Sequence, residues 1–375
     1  MEPMTARERL LAALRGEPVD RVPIWLLFPY HRLGCYADVR TVPSYREVFG
    51  ASRGRAVSLD RRHLSAPLFE PEVAVRSERT EEEGWRVERE AVEWRDVRLV
   101  AETRRRGDEV RVRKLISSEE DLRAFCRLPV ETDPGRLSAA LEAQLEAHRR
   151  ERAELPAEFG ATMLDLGEPI GVLYSRSELT EYPVWSLTAD ELVRGLLDRL
   201  MERLRVVYSF CLERDLAEVY FLVGSELASP PMVSRETFRR WIVPYARELI
   251  AMIHARGRLA IQHYHGQIRE VLPDFLEMAP DGLHTIEAPP NGNCTMTGAY
   301  QVVGDRIALI GNIQYDCFRS YRPGEMREAV RALLEECRGR RFILSPSAGP
   351  YEPEISERMQ ANYLEFLEAG WEFGS

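Results

Sequence analysis

The sequence lacks the features that would place it in a membrane or send it through a secretory pathway. It has no run of about 18 apolar residues, the least that a helix needs to span a bilayer. Residues 1–15 carry charge throughout and have no apolar centre of the kind found in signal peptides. The six cysteines include no Cys-x-x-Cys pair, as is typical of reduced thiols. These absences predict a cytoplasmic protein with no membrane partner.

Nucleotide-binding fingerprints are missing as well. There is neither a Gly-x-Gly-x-x-Gly turn nor a phosphate-binding loop motif. The net charge of -10 at pH 7 argues against a general nucleic-acid binder. Hydrophobic residues make up 45% of the 375 residues, which is ample for a large core. The expected partner is therefore a small-molecule substrate.

The pattern of strands and helices predicts the fold. After Gly160, short apolar strands alternate with amphipathic helices. Strands that are apolar on both faces are typical of a parallel sheet covered by helices. Eight strands are predicted, which favours a (β/α)8 TIM barrel over an open sheet. They span residues 22–27, 56–59, 161–164, 219–223, 258–262, 282–286, 306–310 and 342–344.

Residues 73–116 have a different rhythm. Apolar residues alternate there with arginine and glutamate, and Gly107-Asp108 is a plausible turn. Such alternation indicates antiparallel strands with one solvated face. The sequence therefore predicts one barrel domain over residues 1–375, with a strand-rich insertion at 73–116 in its N-terminal half.

His263 and His265 close the apolar strand predicted at 258–262. Because side chains alternate faces along a strand, residues two apart project to the same side. Two neighbouring imidazoles are natural ligands for a divalent metal, although they could also be solvent-facing or bonded within the protein. The sequence predicts a metal site formed by His263 and His265, with Glu226 or Glu287 as the third ligand.

Other polar residues follow the predicted strands, and chemistry in such barrels takes place at the strands' C-terminal ends. Taken singly, Glu226 or Glu287 could cap a helix and Asn312 could brace a turn. Their convergence on one rim predicts an active site. The predicted catalytic residues are Tyr30, His31, Glu168, Asn312 and Tyr351, and the predicted substrate-binding residues are Arg32, Asp165, Ser345 and Ser347.

Several segments, in order along nearly the whole chain, resemble the uroporphyrinogen decarboxylase superfamily. They are residues 5–11, 20–25, 230–238, 243–245, 263–266, 281–284, 287–290, 311–313 and 344–347. The resemblance implies a (β/α)8 barrel, and dimers are common in the superfamily. True decarboxylases hold their substrate's carboxylates with an Arg-Gln-Ala-Gly-Arg-Tyr segment, which here reads Phe-Pro-Tyr-His-Arg-Leu-Gly at 28–34. Only Arg32 can stand in, so a tetrapyrrole with many carboxylates is poorly supported.

The zinc-dependent methyltransferase branch of the superfamily resembles this chain more closely. Its members bind zinc through one His, two Cys and a nearby Glu, and activate a thiol that accepts methyl from a corrinoid protein. His265 and Ser347 stand at the two cysteine positions, so both thiolates are missing. The resemblance implies a methyltransferase-like enzyme that uses zinc, or another divalent metal, with a corrinoid protein as methyl donor. A decarboxylase or lyase acting on a small acidic substrate, and a barrel that binds a ligand without catalysis, are the alternatives.

Overall fold

The computed structural model describes residues 3–34 and 36–375, so the predictions on residues 1, 2 and Cys35 lie outside the described residues. The first half of the chain contains α1 Ala6–Arg15, β1 Ile24–Trp25, α2 Pro43–Ser52, β2 Ala56–Arg62, β3 Ala74–Glu82, β4 Trp85–Trp94, β5 Val97–Arg106, β6 Glu109–Arg113, α3 Glu119–Phe125, α4 Pro134–Glu142, α5 Leu145–Glu154, β7 Gly160–Leu164, α6 Pro169–Arg176 and α7 Tyr182–Thr188. The second half contains α8 Asp190–Glu213, β8 Val219–Val223, α9 Arg235–Trp241, α10 Val243–Ala255, β9 Leu259–His263, α11 Leu272–Met278, β10 Gly282–His284, α12 Met296–Val303, β11 Ala308–Ile313, α13 Tyr315–Ser320, α14 Glu325–Glu336, β12 Phe342–Pro346 and α15 Glu357–Phe373. Short 3-10 turns cover Ser225–Ala228 and Ile268–Val271.

Eight parallel strands of the described chain close a barrel in the order β1-β12-β11-β10-β9-β8-β7-β2. This order confirms the predicted (β/α)8 TIM barrel. The strands are buried on both faces, since one face meets the helices and the other fills the interior. The predicted bounds were less accurate than the strand count: β1 and β10 are shorter than predicted, whereas β2 and β11 run further towards their C-terminal ends.

Helix α1 closes the N-terminal end of the barrel. It begins with a capping box between Thr5 and Glu8, and its leucines pack into one cluster with the inward residues of the strands. Leu14 comes so close to the barrel that a Cβ at Gly282 would lie 2.9 Å from it. Arg341 donates from Nε to the carbonyl oxygen of Ala13 over 2.9 Å. This end, the floor, is therefore packed and apolar.

The predicted insertion is a four-stranded antiparallel sheet, β3-β4-β5-β6, placed between the second and third barrel strands. Strand β4 pairs with β5 from Arg86 with Arg105 to Trp94 with Val97. Val87, Val92 and Leu99 are buried, while β6 is exposed throughout. The antiparallel insertion predicted for the N-terminal half is thus confirmed.

For two predictions about the whole chain, the structure gives findings on the described residues. In the described ranges, no helix combines the length and the apolar content needed to cross a membrane. The five described cysteines are free thiols, and Cys126, Cys211, Cys294 and Cys337 are buried.

Candidate active site

The C-terminal end of the barrel, called the mouth below, is polar where the floor is apolar. Along most of the strands the inward position changes from apolar to polar in a single step of two residues. Examples are Leu59 to Arg61, Met163 to Asp165, Ile261 to His263, Ile310 to Asn312 and Ile343 to Ser345. The apolar member of each pair belongs to the interior cluster, so the polar member lies directly above it.

A hydrogen-bonded chain starts at His263. Strands β9 and β10 pair in register so that His263 faces His284, and the two rings meet edge to edge, with centroids 4.8 Å and planes 20° apart. The Nδ1 atoms of the two rings are 2.6 Å apart, and His284 Nε2 is 2.9 Å from the carbonyl oxygen of Pro346. Burial lowers the pKa of His284 to about 3. Burial, together with the charges of His284, His265 and Arg61, keeps the pKa of His263 well below its ordinary value. Both rings are therefore neutral.

This geometry assigns the protons. A carbonyl oxygen only accepts, so His284 carries its hydrogen on Nε2 and leaves Nδ1 bare. His263 must then donate from Nδ1, which leaves its Nε2 with a free lone pair. No described residue bonds to that nitrogen. The buried chain from Pro346 through His284 thus prepares His263 to bind a cation or accept a proton.

His265 lies beside His263, with ring centroids 4.6 Å apart and planes at 84°. Its Nδ1 is 3.3 Å from Glu287 Oε1, and the other oxygen of Glu287 accepts from the Gly266 amide over 2.6 Å. Burial lowers the pKa of His265, but the bond to Glu287 outweighs it and raises that pKa above its ordinary value. Burial raises the pKa of Glu287, whereas His265 and Gly266 together hold it below its ordinary value. Glu287 is thus engaged in orienting His265.

Two further carboxyl groups lie near the histidines. Gly224, at φ +106°, begins the 3-10 turn that carries Glu226, and a side chain at Gly224 would overlap the Tyr174 hydroxyl. Glu226 Oε2 is buried without a hydrogen-bond partner among the described residues. Burial raises the pKa of Glu226, against the charges of His265 and Arg61. Burial raises the pKa of Glu168 to about 8, although the Ser225 hydroxyl donates to it over 2.6 Å.

Arg61 joins the two sides of the mouth. It pairs with the buried carboxylate of Asp165, and its guanidinium lies 5.0 Å from the centre of the Phe221 ring. Phe221 in turn contacts the His263 ring, with centroids 5.4 Å apart. Burial lowers the pKa of Arg61, but Asp165 outweighs that effect and raises it.

Some predicted residues are not brought to the histidines. Leu27, at φ +60°, turns the chain after β1, and Tyr30 then packs against Phe159 with ring centroids 6.4 Å apart. His31 bonds through Nδ1 to Asp60 over 2.8 Å. Because Asp60 alternates with the inward Leu59 and Arg61, it faces outward, and His31 lies outside the barrel wall. Arg32 is exposed and forms no hydrogen bond or ion pair within residues 3–34 and 36–375.

The remaining predicted residues have local partners. Asn312 donates to the carbonyl oxygen of Ile286 over 2.6 Å. Ser345 is fully buried and donates to the carbonyl oxygen of Pro346 over 3.1 Å. Ser347 accepts from the Tyr315 amide over 3.0 Å and so anchors the start of α13. Tyr351 is half-exposed and packs on Tyr36 with centroids 5.0 Å apart.

Residues that the sequence reasoning missed include Arg61, His284 and Tyr36. Arg61 was missed because the second strand was predicted to end at residue 59, whereas β2 continues to Arg62. His284 stands two residues after the inward Gly282, so alternation would have placed it inside the barrel. Its hydrogen bond with His263 depends on the register between β9 and β10, which the sequence does not reveal.

The metal prediction was compared with the donor atoms at the mouth. Within the described residues, no group of three or more His, Cys, Asp or Glu side chains is arranged to hold a metal ion. The lone pair of His263 Nε2 and the unpartnered Glu226 Oε2 are nevertheless zinc-type donors. The donor atoms are therefore of the kind that binds a divalent metal, but the described residues do not bring a third ligand into place.

Comparisons with known proteins agree with the barrel fold. The family model described as uroporphyrinogen decarboxylase (URO-D) matches residues 107–365, more than half of the chain. The chain therefore belongs to the uroporphyrinogen decarboxylase family.

Two relatives carry methyltransferase names. The methylcobamide:CoM methyltransferase MtaA of Methanosarcina barkeri is 23% identical over 145 residues, which are 39% of this chain and 40% of the relative. The match thus spans well under two thirds of that relative's length. A solved structure, a methyltransferase from Methanosarcina mazei, has a TM-score of 0.61 and 18% identity, and the alignment covers 99% of this chain and 100% of that chain. At this identity the solved structure supports the fold, and the family and named relative support a methyltransferase-like or decarboxylase-like role.

Proposed function

We propose that this chain is a methyltransferase-like enzyme of the family that binds a divalent metal, zinc in the first place, through His263 and His265. The proposal rests on the bonding chain from the Pro346 carbonyl through His284, which leaves the Nε2 lone pair of His263 free. A neutral imidazole fixed in one tautomer by a buried partner is the usual state of a metal-ligating histidine.

Each remaining group has a role in this proposal. Glu226 is the third ligand, because its buried Oε2 has no described partner. Glu287 orients His265 and is not itself a ligand, because the Gly266 amide and His265 occupy its oxygens. Bound zinc would act as a Lewis acid that lowers the pKa of a thiol, alcohol or water in its open position. Binding must displace the proton that Glu287 favours on His265, so metal affinity should rise with pH.

The substrate side of the site is formed by Arg61, Glu168 and Tyr351. Arg61, held by Asp165, supplies a fixed positive charge at the mouth. Glu168 keeps a proton near neutral pH and is suited to donate it to a leaving group or hydrogen-bond a substrate oxygen. Tyr351 contributes a flat, half-exposed wall. Asn312 and Ser345 shape the rim between them. We propose a small substrate and, as methyl donor, a corrinoid protein, in line with the methylcobamide named for the M. barkeri relative.

Elemental analysis of the protein purified without added metal tests the metal site. About one zinc per chain is expected, and changing both His263 and His265 to alanine should abolish it. His254→Ala is the matched control, because that histidine lies on α10 and bonds to Asp281 away from the mouth. Wild-type protein that retains no zinc, cobalt or manganese after loading and dialysis would contradict the proposal.

A decarboxylase or lyase is the second candidate. It is favoured by the raised pKa of Glu168 near Arg61, since a proton donor beside a fixed cation suits protonation of a carbanion after carbon dioxide leaves. Release of labelled carbon dioxide, as opposed to a methylated product, separates the two reactions. Turnover of uroporphyrinogen at an enzyme-like rate of about 1 per second would contradict the expected preference for a small substrate. A barrel that only binds its ligand would give neither product.

A further inference from the structure

A cavity of about 630 Å³ adjoins the mouth on the side of β7. Its inner end is lined by Arg61, Glu168 and Glu226, which belong to the candidate active site. Its outer end is lined by Arg176, the last residue of α6, and Arg203, on α8. The volume is within the range of about 300–1,000 Å³ typical of small-molecule sites. The cavity therefore connects the reacting groups with a pair of arginines in the helical layer.

The two arginines have only neutral partners. Arg176 donates to the Ser175 hydroxyl over 3.3 Å, and Arg203 donates to the carbonyl oxygens of Ala66 and Pro67 over 2.6 and 2.8 Å. Neither forms an ion pair with a carboxylate of the described chain. By contrast, Arg61 at the inner end of the same cavity is paired with Asp165.

Burial makes this arrangement costly without an anion. Burial lowers the pKa of both Arg176 and Arg203, and the charge of Arg176 lowers that of Arg203 further. The carboxylate of Glu90 raises the pKa of Arg176 and that of Glu131 raises the pKa of Arg203, but in both cases less than burial lowers it. Two partly desolvated cations that repel one another favour a ligand that brings negative charge. Guanidinium groups also match the planar oxygens of carboxylates and phosphates.

The two ends of the cavity differ in charge. The inner end carries the carboxyl groups of Glu168 and Glu226, whereas the outer end carries the unpaired guanidinium groups. A ligand that satisfies both ends has an oxyanion at one end and a neutral or hydrogen-bond-donating group at the other.

We propose that this cavity binds a small organic oxyanion whose carboxylate or phosphate is held by Arg176 and Arg203. Its other end then lies beside Glu226 and the two histidines. This orientation rests on the proposed function, which makes the inner end the reacting end, whereas the contact with the arginines requires no metal. The substrate class is therefore a small molecule with a single acidic head group.

Calorimetric titration of the full chain, stripped of metal with a chelator, tests the head-group site. Inorganic phosphate and propionate are the two probes, and saturable binding of at least one is expected. Arg176→Gln should weaken that binding about tenfold or more, because a charged hydrogen bond is lost. Arg203→Lys keeps the charge but loses the fork of donors and should weaken it severalfold. Arg150→Gln, an exposed arginine of α5 that makes the same change in net charge, should leave the affinity unchanged.

The outcomes separate this inference from the metal proposal. Tighter binding of phosphate would assign a phosphorylated substrate, and tighter binding of propionate an organic acid, and both support the site. Binding of neither probe to wild-type protein, or equal affinity in Arg176→Gln and Arg150→Gln, would overturn it. Should Arg176→Gln lower the unfolding temperature, Arg176→Lys provides the test with the charge retained. If wild-type protein binds an anion but no zinc, the metal proposal alone is overturned.

Discussion

The two ends of the barrel use the same strands for opposite purposes. At the floor, Leu10 and Leu14 of α1 pack among inward apolar residues of the strands. At the mouth, His263, two residues beyond Ile261 on β9, presents a lone pair, and Glu226, in the turn after β8, presents a buried oxygen, neither with a described partner. Buried polar atoms without partners lower stability, so packing at the floor must offset the stability that is lost at the mouth. The comparison predicts that changes at the floor affect stability and changes at the mouth affect binding.

The largest effect is expected at the mouth. Replacing both His263 and His265 by alanine should weaken zinc binding by about a thousandfold or more, or ~4 kcal/mol, because a carboxylate alone holds zinc poorly. Competition against a chromogenic zinc chelator measures the affinity. The free energy of unfolding of the metal-free protein should fall less than in a floor variant, because His263 is partly exposed and the double variant loses only its contacts with Phe221 and His284. A double variant that binds zinc normally would remove the distinction between the two ends.

The floor provides the opposite case. Leu10 is completely buried in the interior cluster, so Leu10→Ala should lower the free energy of unfolding by about 2–5 kcal/mol through lost contacts and an unfilled cavity. Urea-induced unfolding followed by circular dichroism measures the change. At temperatures where the variant is folded, its zinc affinity should equal that of the wild type. A matching loss of zinc affinity would mean that α1 controls the geometry of the mouth.

The bonding chain behind His263 should have an intermediate effect. His284→Leu removes the acceptor that fixes the tautomer of His263, so zinc affinity should fall about 10–100-fold. Trp25→Phe is the matched control, because Trp25 packs on His284 with ring centroids 5.5 Å apart but does not bond to it. Chelator competition again provides the affinity. An equal fall in both variants would indicate a packing effect and refute the role of the bonding chain.

Sequence patterns predicted the floor better than the mouth, for a physical reason. Barrel strands are buried on both faces, so each reads as an apolar run, and all eight were found. The second strand was predicted to stop at residue 59 because Asp60, Arg61 and Arg62 interrupt the apolar run. In the structure Asp60 bonds to His31 and Arg61 pairs with Asp165, which allows these charges inside a strand.

The mouth depends on contacts between distant segments, and these leave little trace in one sequence. The proximity of His263 and His265 to each other follows from the alternation of side chains along a strand, and their ring centroids do lie 4.6 Å apart. The hydrogen bond between His284 and His263, by contrast, depends on the register of two parallel strands. The placement of His31 outside the wall requires the left-handed conformation of Leu27, for which a leucine gives no signal. Whether the predicted residues take part in catalysis stays a prediction.

The smallest effect concerns two carboxyl groups at opposite ends. Burial raises the pKa of Glu168 at the mouth to about 8, so the folded state keeps a proton that the unfolded chain releases near pH 4.5. The contribution of Glu168 to stability should therefore fall as pH rises from about 5 to 8, by at most ~1.4 kcal/mol per pH unit, and the difference in stability between wild type and Glu168→Gln measures it. Burial raises the pKa of Glu218 at the floor too, but Arg152, the Thr162 amide and Arg7 outweigh it and hold the pKa below its ordinary value.

Glu218→Gln is the control, because the pKa of Glu218 is shifted in the direction opposite to that of Glu168. Glu218 stays ionised in both states above about pH 5, so its contribution is lost only as pH falls below its ordinary pKa, and Glu218→Gln should leave the slope between pH 5 and 8 unchanged. Urea unfolding at unit intervals of pH measures both variants against wild type. If Glu168→Gln and wild type show parallel pH dependences, Glu168 is ionised in the folded protein. The mouth would then hold no neutral acid to protonate a substrate, and the lyase alternative would lose the observation that favours it.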